Sequence, residues 1–141
     1  MKIEYTLETL TAVAHKIIET ASSSNIILFN GDLGAGKTTL IKELVKALGC
    51  TETVSSPTYS LVNEYKADKT SIFHFDLYRL EDEEELYNFG IEEYLNTQHW
   101  IFVEWPDLLK PLLDDNFYEI TINRLENGTR NLNLIYNITD N

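Results

Sequence analysis

No stretch of this chain narrows its possible folds more than Gly31-Asp32-Leu33-Gly34-Ala35-Gly36-Lys37-Thr38, which fits the pattern G-x-x-x-x-G-K-[ST] at every fixed position. Its flanks decide what the pattern means. Ile26-Ile27-Leu28-Phe29 before it is a short, continuous apolar run, as expected of a strand covered on both faces. Leu40, Ile41, Leu44, Val45 and Leu48 after it recur at helical spacing and stop at Gly49, a helix-ending residue. Strand, tight glycine loop and helix together form a cradle for phosphate. The glycines admit backbone angles and close approaches that a Cβ blocks, so successive amide N–H groups turn inward, and the helix adds its positive N-terminal end. Asp32, Leu33, Gly34, Ala35 and Gly36 are thus expected to wrap the phosphates by main chain. Lys37 bridges the β- and γ-phosphates in this reading, Thr38 supplies a hydroxyl to magnesium, and Thr39 bonds the α-phosphate.

The remaining pattern indicates what surrounds that loop. Thr6 is an N-cap candidate for an amphipathic helix over 7–21, with Leu10, Val13, Ala14, Ile17 and Ile18 on one face. Tyr59–Tyr65 and Ser71–Asp76 read as an antiparallel hairpin. The acidic run Glu81–Glu85 opens two short helical pieces broken at Gly90. Trp100–Val103 is a second buried strand, and Tyr118–Asn123 and Asn131–Ile135 flank the turn signal Asn127-Gly128 as two alternating, edge-type strands. Alternating strands and helices around buried strands predict an α/β, three-layer domain of the P-loop NTPase type, its central sheet mixed because of the hairpins. With 141 residues, 43% hydrophobic, the chain reads as one domain over 1–141.

Charge and cysteine content exclude several functions. Eleven basic against 23 acidic residues give a net charge of −12, which argues against autonomous binding to nucleic acid or an anionic membrane. No apolar run approaches the about 20 residues of a membrane span, and Met1-Lys2-Ile3-Glu4-Tyr5 lacks the order of a signal peptide, so the cytoplasm is the expected compartment. Cys50 has no partner for a bridge and reads as a reduced, semi-buried thiol.

A phosphate loop that uses magnesium needs an acid at the end of a neighbouring strand. Asp76 and Glu104 both qualify, each closing a mostly apolar run; one would orient the metal shell and the other a water, and the pattern leaves the assignment open. His74, two residues before Asp76, reads more readily as a structural histidine than as a site residue. Ser55, Ser56, Thr58 and Tyr59 around Pro57 suit either a γ-phosphate sensor or an ordinary polar turn, and Glu81–Glu85 either a solvated helix start or a docking face. The nearest match to a guanine-reading [NT]-K-x-D element, Tyr65-Lys66-Ala67-Asp68, lacks the first residue, so adenine is expected, with Trp105 a candidate wall for the base. Only Arg79, Arg124 and Arg130 are available as arginines, dispersed and without a lid-sized insertion. That disfavours the alternative, a nucleotide or metabolite kinase, against an ATP-hydrolysing switch.

Five blocks in register carry a resemblance: the loop through Thr39; Ser56-Pro57-Thr58-Tyr59; His74-Phe75-Asp76-Leu77-Tyr78-Arg79-Leu80; Glu84-Glu85-Leu86 with Gly90-Ile91; and Val103-Glu104-Trp105. Over about residues 25–106 the chain resembles the TsaE family, also called YjeE, the small ATPase of bacterial tRNA threonylcarbamoyladenosine modification. The resemblance implies ATP and Mg2+ at the loop, Thr38 and Glu104 at the metal, Asp76 in hydrolysis, and Ser56–Tyr59 as a switch near the γ-phosphate. It further implies TsaB and TsaD as partners, with ATP turnover resetting their complex and no threonylcarbamoyl transfer by this chain. Hydrolysis by the isolated chain is expected to be slow.

Overall fold

The computed structural model describes residues 1–55, 57, 61–114 and 116–138. Seven strands form one sheet: β1 (Lys2–Tyr5), β2 (Ile26–Asn30), β3 (Val62–Lys66), β4 (Ser71–Asp76), β5 (Trp100–Glu104), β6 (Phe117–Arg124) and β7 (Arg130–Asn137). Their spatial order is β1-β7-β6-β2-β5-β4-β3. The middle four, β4, β5, β2 and β6, run parallel, while β3 and the β7–β1 pair extend the sheet antiparallel at its two sides. The expected mixed sheet is therefore present, with its parallel part centred on the strand that feeds the glycine loop.

Burial explains the layers. Every residue of Ile26–Phe29 is buried, and alternate side chains enter opposite cores. Ile27 and Phe29 join the apolar faces of α1 (Leu10–Thr20) and α2 (Lys37–Ala47). Ile26 and Leu28 face a second core with Phe75, Val103 and Leu86, closed by α3 (Glu83–Phe89), α4 (Ile91–Leu95) and the 3₁₀ turns Pro106–Leu108 and Lys110–Leu112. Helices on both faces of one sheet make the three layers that the sequence predicts. The Glu81–Glu85 run forms a helix start: Asp82 caps α3 by accepting from the Glu85 amide at 3.1 Å, and Glu83, Glu84 and Glu85 occupy the positive first turn. The break at Gly90 is also present, at φ 87°.

Three expectations are corrected. The segment at 7–21 is not one α-helix, because Leu7–Thr9 is a 3₁₀ turn in which the Thr9 hydroxyl accepts from the Thr6 amide at 3.0 Å. The strands around Asn127-Gly128 are not edges. β6 lies between β2 and β7, and β7 between β6 and β1, because the four-residue segment Lys2–Tyr5 adds an outer strand that its brief alternation did not announce. Cys50 is buried rather than semi-buried, its sulfur accepting weakly from the Glu52 amide. Among the described residues, no helix is long and apolar enough to cross a membrane.

Candidate functional site

Strand register gathers the site before any side chain is considered. Asp76 and Glu104 are cross-strand partners at the ends of β4 and β5, and Phe29, two residues before the glycine loop, pairs with Glu104 on its other side. Three parallel strands therefore deliver the loop and both acids to one end of the sheet, where open α/β sheets take their ligands. Glu104 shares a sheet face with Phe102, which packs in the core under α1 and α2, so its carboxylate comes up beneath the first turn of α2.

There the Thr38 hydroxyl donates to Glu104 Oε1 at 3.1 Å. The other carboxylate oxygen, Oε2, lies 2.7 Å from His74 Nε2. His74 is fully buried, and among the described residues its Nδ1 has no hydrogen-bond partner. The bonding ring nitrogen therefore carries the hydrogen and donates to the carboxylate, since a hydrogen on Nδ1 instead would be buried without an acceptor. The histidine read from sequence as structural thus fixes one of the predicted acids. Asp76 Oδ1 accepts from the Tyr78 amide at 3.0 Å, and the partial burial of its carboxyl, followed by the nearby Glu104 charge, pushes its pKa above the ordinary 3.8.

The loop itself is held by backbone geometry. Gly36 caps α2 at φ 108°, where an L side chain is strained, and a Cβ there would meet Arg130 Nε at 2.7 Å. Lys37 is buried at 5% exposure, with its ammonium folded back onto the Gly31 carbonyl and 3.4 Å above the Trp105 ring centroid. Burial lowers its pKa from the ordinary 10.5, against the opposing pull of Glu104, Asp76 and Asp32. Trp105 holds a left-handed backbone at φ 55°, the one non-glycine residue to do so among those described, and its ring meets Tyr78 at 4.9 Å. Asp32, Leu33, Gly34 and Thr39 are exposed along the loop and helix start, while Ala35 is buried.

Two shallow cavities flank the loop. One of about 280 Å³ runs between Asn30, Asp32, Trp105, Asp107, Thr121 and Asn123; the other, of about 290 Å³, lies against Asp32, Leu33, Ala35, Asn123 and Arg124. A larger one of about 550 Å³ opens at the far end of the sheet beside Ile26, Tyr87, Ile91 and Leu113, away from every residue of the loop. The convergence of charged and hydroxyl groups marks the loop end, and volume alone does not outweigh it.

Of the hydroxyl-rich segment, Ser56, Thr58 and Tyr59 lie outside the described residues. Ser55 is tied to β3, its amide donating to Tyr65 Oη at 3.2 Å and its carbonyl accepting from the same hydroxyl at 2.7 Å. Arg130, one of three arginines dispersed in the sequence, reaches the loop from the start of β7: its Nε donates to the Ala35 carbonyl at 2.9 Å. The turn signal Asn127-Gly128 gave the hairpin, but only the pairing of β6 with β2 brings that hairpin to the loop.

The oxygen donors Thr38 and Glu104, with Asp76 one strand away, form a hard, anionic set of the type that holds magnesium with few protein ligands. Among the described residues, no cluster of three or more His, Cys, Asp or Glu forms a metal cage.

Comparison with known proteins agrees with this geometry. The family model "Threonylcarbamoyl adenosine biosynthesis protein TsaE" matches residues 5–132. The tRNA threonylcarbamoyladenosine biosynthesis protein TsaE of Rickettsia conorii is 40% identical over 131 residues, which cover 92% of this chain and 74% of that protein. Its counterpart of the same name in Bacillus subtilis is 35% identical over 125 residues, covering 89% and 78%. The crystal structure of Bacillus subtilis YdiB superposes with a TM-score of 0.78 at 27% identity, across 99% of this chain and 86% of that one.

Proposed function

The chain belongs to the TsaE family, and from that premise we propose that it binds ATP with Mg2+ at the Gly31–Thr38 loop and hydrolyses the nucleotide in tRNA threonylcarbamoyladenosine biosynthesis, acting on a complex of TsaB and TsaD in the cytoplasm. One observation carries the reading: Thr38, directly after the loop lysine, donates a 3.1 Å hydrogen bond to Glu104 at the end of the adjacent parallel strand. Hydroxyl and acid from distant parts of the sequence meet where a nucleotide-bound magnesium needs both.

The chain's own residues divide the work as follows. Main-chain amides of Asp32 to Thr39 surround the phosphates, with the α2 N-terminus behind them. Lys37 leaves the Gly31 carbonyl and the Trp105 face to meet the β- and γ-phosphates, an exchange of one set of partners for a more strongly charged one. Trp105, released from that ammonium, walls the cavity next to Asn30 and Thr121, which suits contact with the nucleotide. Thr38 and Glu104 would hold magnesium, and His74 fixes the Glu104 oxygen that Thr38 does not use. Bound there, the ion would neutralise charge developing on the phosphates. Asp76, a carboxyl with a raised pKa one strand from Glu104, is suited to accept a hydrogen bond from the attacking water.

The partners are those the family resemblance implies, and the charge agrees with them. A chain at −12 grips tRNA poorly by itself, so its part in tRNA modification runs through proteins. The test is release of inorganic phosphate from ATP by the purified chain, with and without TsaB and TsaD. Slow release that rises when both are added supports the proposal. A rate indifferent to them overturns the partnership, and phosphate recovered on a small acceptor selects a kinase instead.

A further inference from the structure

Arg130 opens β7 on the far side of β6 from the loop strand, with Tyr5 of β1 as its cross-strand partner. Its side chain nevertheless reaches the glycine loop, where Nε donates to the Ala35 carbonyl at 2.9 Å. The guanidinium also fills the space that a side chain on Gly36 would need, since a Cβ there would lie 2.7 Å from Nε and 3.2 Å from Cδ. Tyr5, its cross-strand partner, is buried, its hydroxyl has no hydrogen-bond partner among the described residues, and the Arg130 charge acts on it.

In a trans peptide the carbonyl and the next N–H point in opposite directions. An arginine that draws the Ala35 carbonyl toward itself therefore turns the Gly36 N–H away from itself. We propose that Arg130 is a positioning residue for the nucleotide: it clamps the Ala35–Gly36 peptide from outside the loop and so presents the Gly36 amide to a phosphate oxygen. This rests on the nucleotide-binding reading above and adds to it a residue about 95 positions from the loop. Pre-organisation is the physical gain. A glycine-rich loop left free would have to order its peptides on binding, and a clamp supplied by the rigid sheet removes that step. The planar Nε–H is what the geometry uses; a lysine ammonium carries the charge without that donor.

The experiment compares the full chain with Arg130→Ala and Arg130→Lys by calorimetric titration with ADP and Mg2+, alongside thermal melting and the backbone NMR order parameter of Gly36 without nucleotide. Both variants are expected to bind ADP about tenfold or more weakly than the unaltered chain, and the Gly36 order parameter to fall in both. Unchanged affinity and order in either folded variant overturn the clamp. Full affinity in Arg130→Lys with loss in Arg130→Ala overturns it too, because a planar Nε–H would then not be what holds the peptide. If Arg130→Ala fails to fold, the lysine variant decides by the same criteria. Should the unaltered chain itself bind no nucleotide, the phosphate-loop reading falls, and the Gly36 order parameters still judge the clamp.

Discussion

Replacing His74 by leucine tests the contact on which the geometry of the acid site depends. The ring is fully buried and its Nε2 lies 2.7 Å from Glu104 Oε2, so leucine, of similar bulk, keeps the packing and deletes the donor. A hydrogen bond to a charged group contributes about 1.5–3 kcal/mol, and removing one partner of a wholly buried pair costs about 3–5 kcal/mol. Glu104 retains the Thr38 hydroxyl, which argues for about 2–3 kcal/mol here. Against this, leucine also removes the buried, unpartnered Nδ1, relieving about 1 kcal/mol. The net expectation is a loss of about 1–2 kcal/mol, or roughly 3–8 °C in melting temperature for a chain of this size.

Urea denaturation and calorimetry measure that loss, and two controls assign it. His74→Gln keeps an amide donor near the same place and should recover part of the stability. A cycle of His74→Leu, Glu104→Leu and the double variant isolates the pair from the Nδ1 effect, with an expected coupling of about 1.5 kcal/mol or more. A coupling under about 0.5 kcal/mol, or a leucine variant as stable as the glutamine one, would refute the claim that His74 holds Glu104.

Three further outcomes are expected. Lys37→Met should abolish most ATP affinity in calorimetry; it should also be more stable than the unaltered chain at neutral pH, because burial lowers the lysine pKa and the charged form is the penalised one. That advantage should shrink as pH rises through the lowered pKa toward 10.5, where the native lysine sheds its proton more readily than the unfolded one, and a stability difference flat across this range would contradict it. Asp76→Asn should retain nucleotide binding but lose partner-stimulated hydrolysis, and its stability gain over Asp76 should be present at neutral pH and vanish as pH falls through the raised pKa toward 3.8. Glu104→Ala should likewise bind nucleotide and fail to turn it over, and full turnover would remove Glu104 from the proposed metal site.

The loop, the three layers and the acid pair were legible because each rests on local chemistry. Glycine spacing fixes a backbone shape, apolar runs fix buried strands, and Asp76 and Glu104 each close such a run. What escaped the sequence depends on which strands are neighbours. Lys2–Tyr5 is too short for a convincing alternation, so β7 looked like an edge and Arg130 like one of three dispersed arginines. His74 looked structural because periodicity can assign a residue to a face without saying what lies across it; the adjacent strand puts Phe102 level with His74 and Glu104 two residues further on, within reach of the ring.

The same dependence on register explains why the site tolerates little slippage. His74, Asp76 and Glu104 occupy the α2-facing side of adjacent strands, and a one-residue shift of β5 would turn Val103 toward Thr38 and send the Glu104 carboxylate into the apolar core of Phe75, Leu86 and Leu109. Burying an unpaired carboxylate there is far more costly than any contact the shift could gain. The buried runs of β2 and β5, whose alternate side chains fill two separate cores, therefore do more than stabilise the sheet: they keep the Glu104 carboxylate aimed at the helix that begins with Lys37. A volume change at Phe102 or Val103, without touching any polar group, is accordingly expected to alter the alignment of Glu104 with Thr38 before it unfolds the chain, and partner-stimulated ATP hydrolysis measured beside melting temperature separates the two effects.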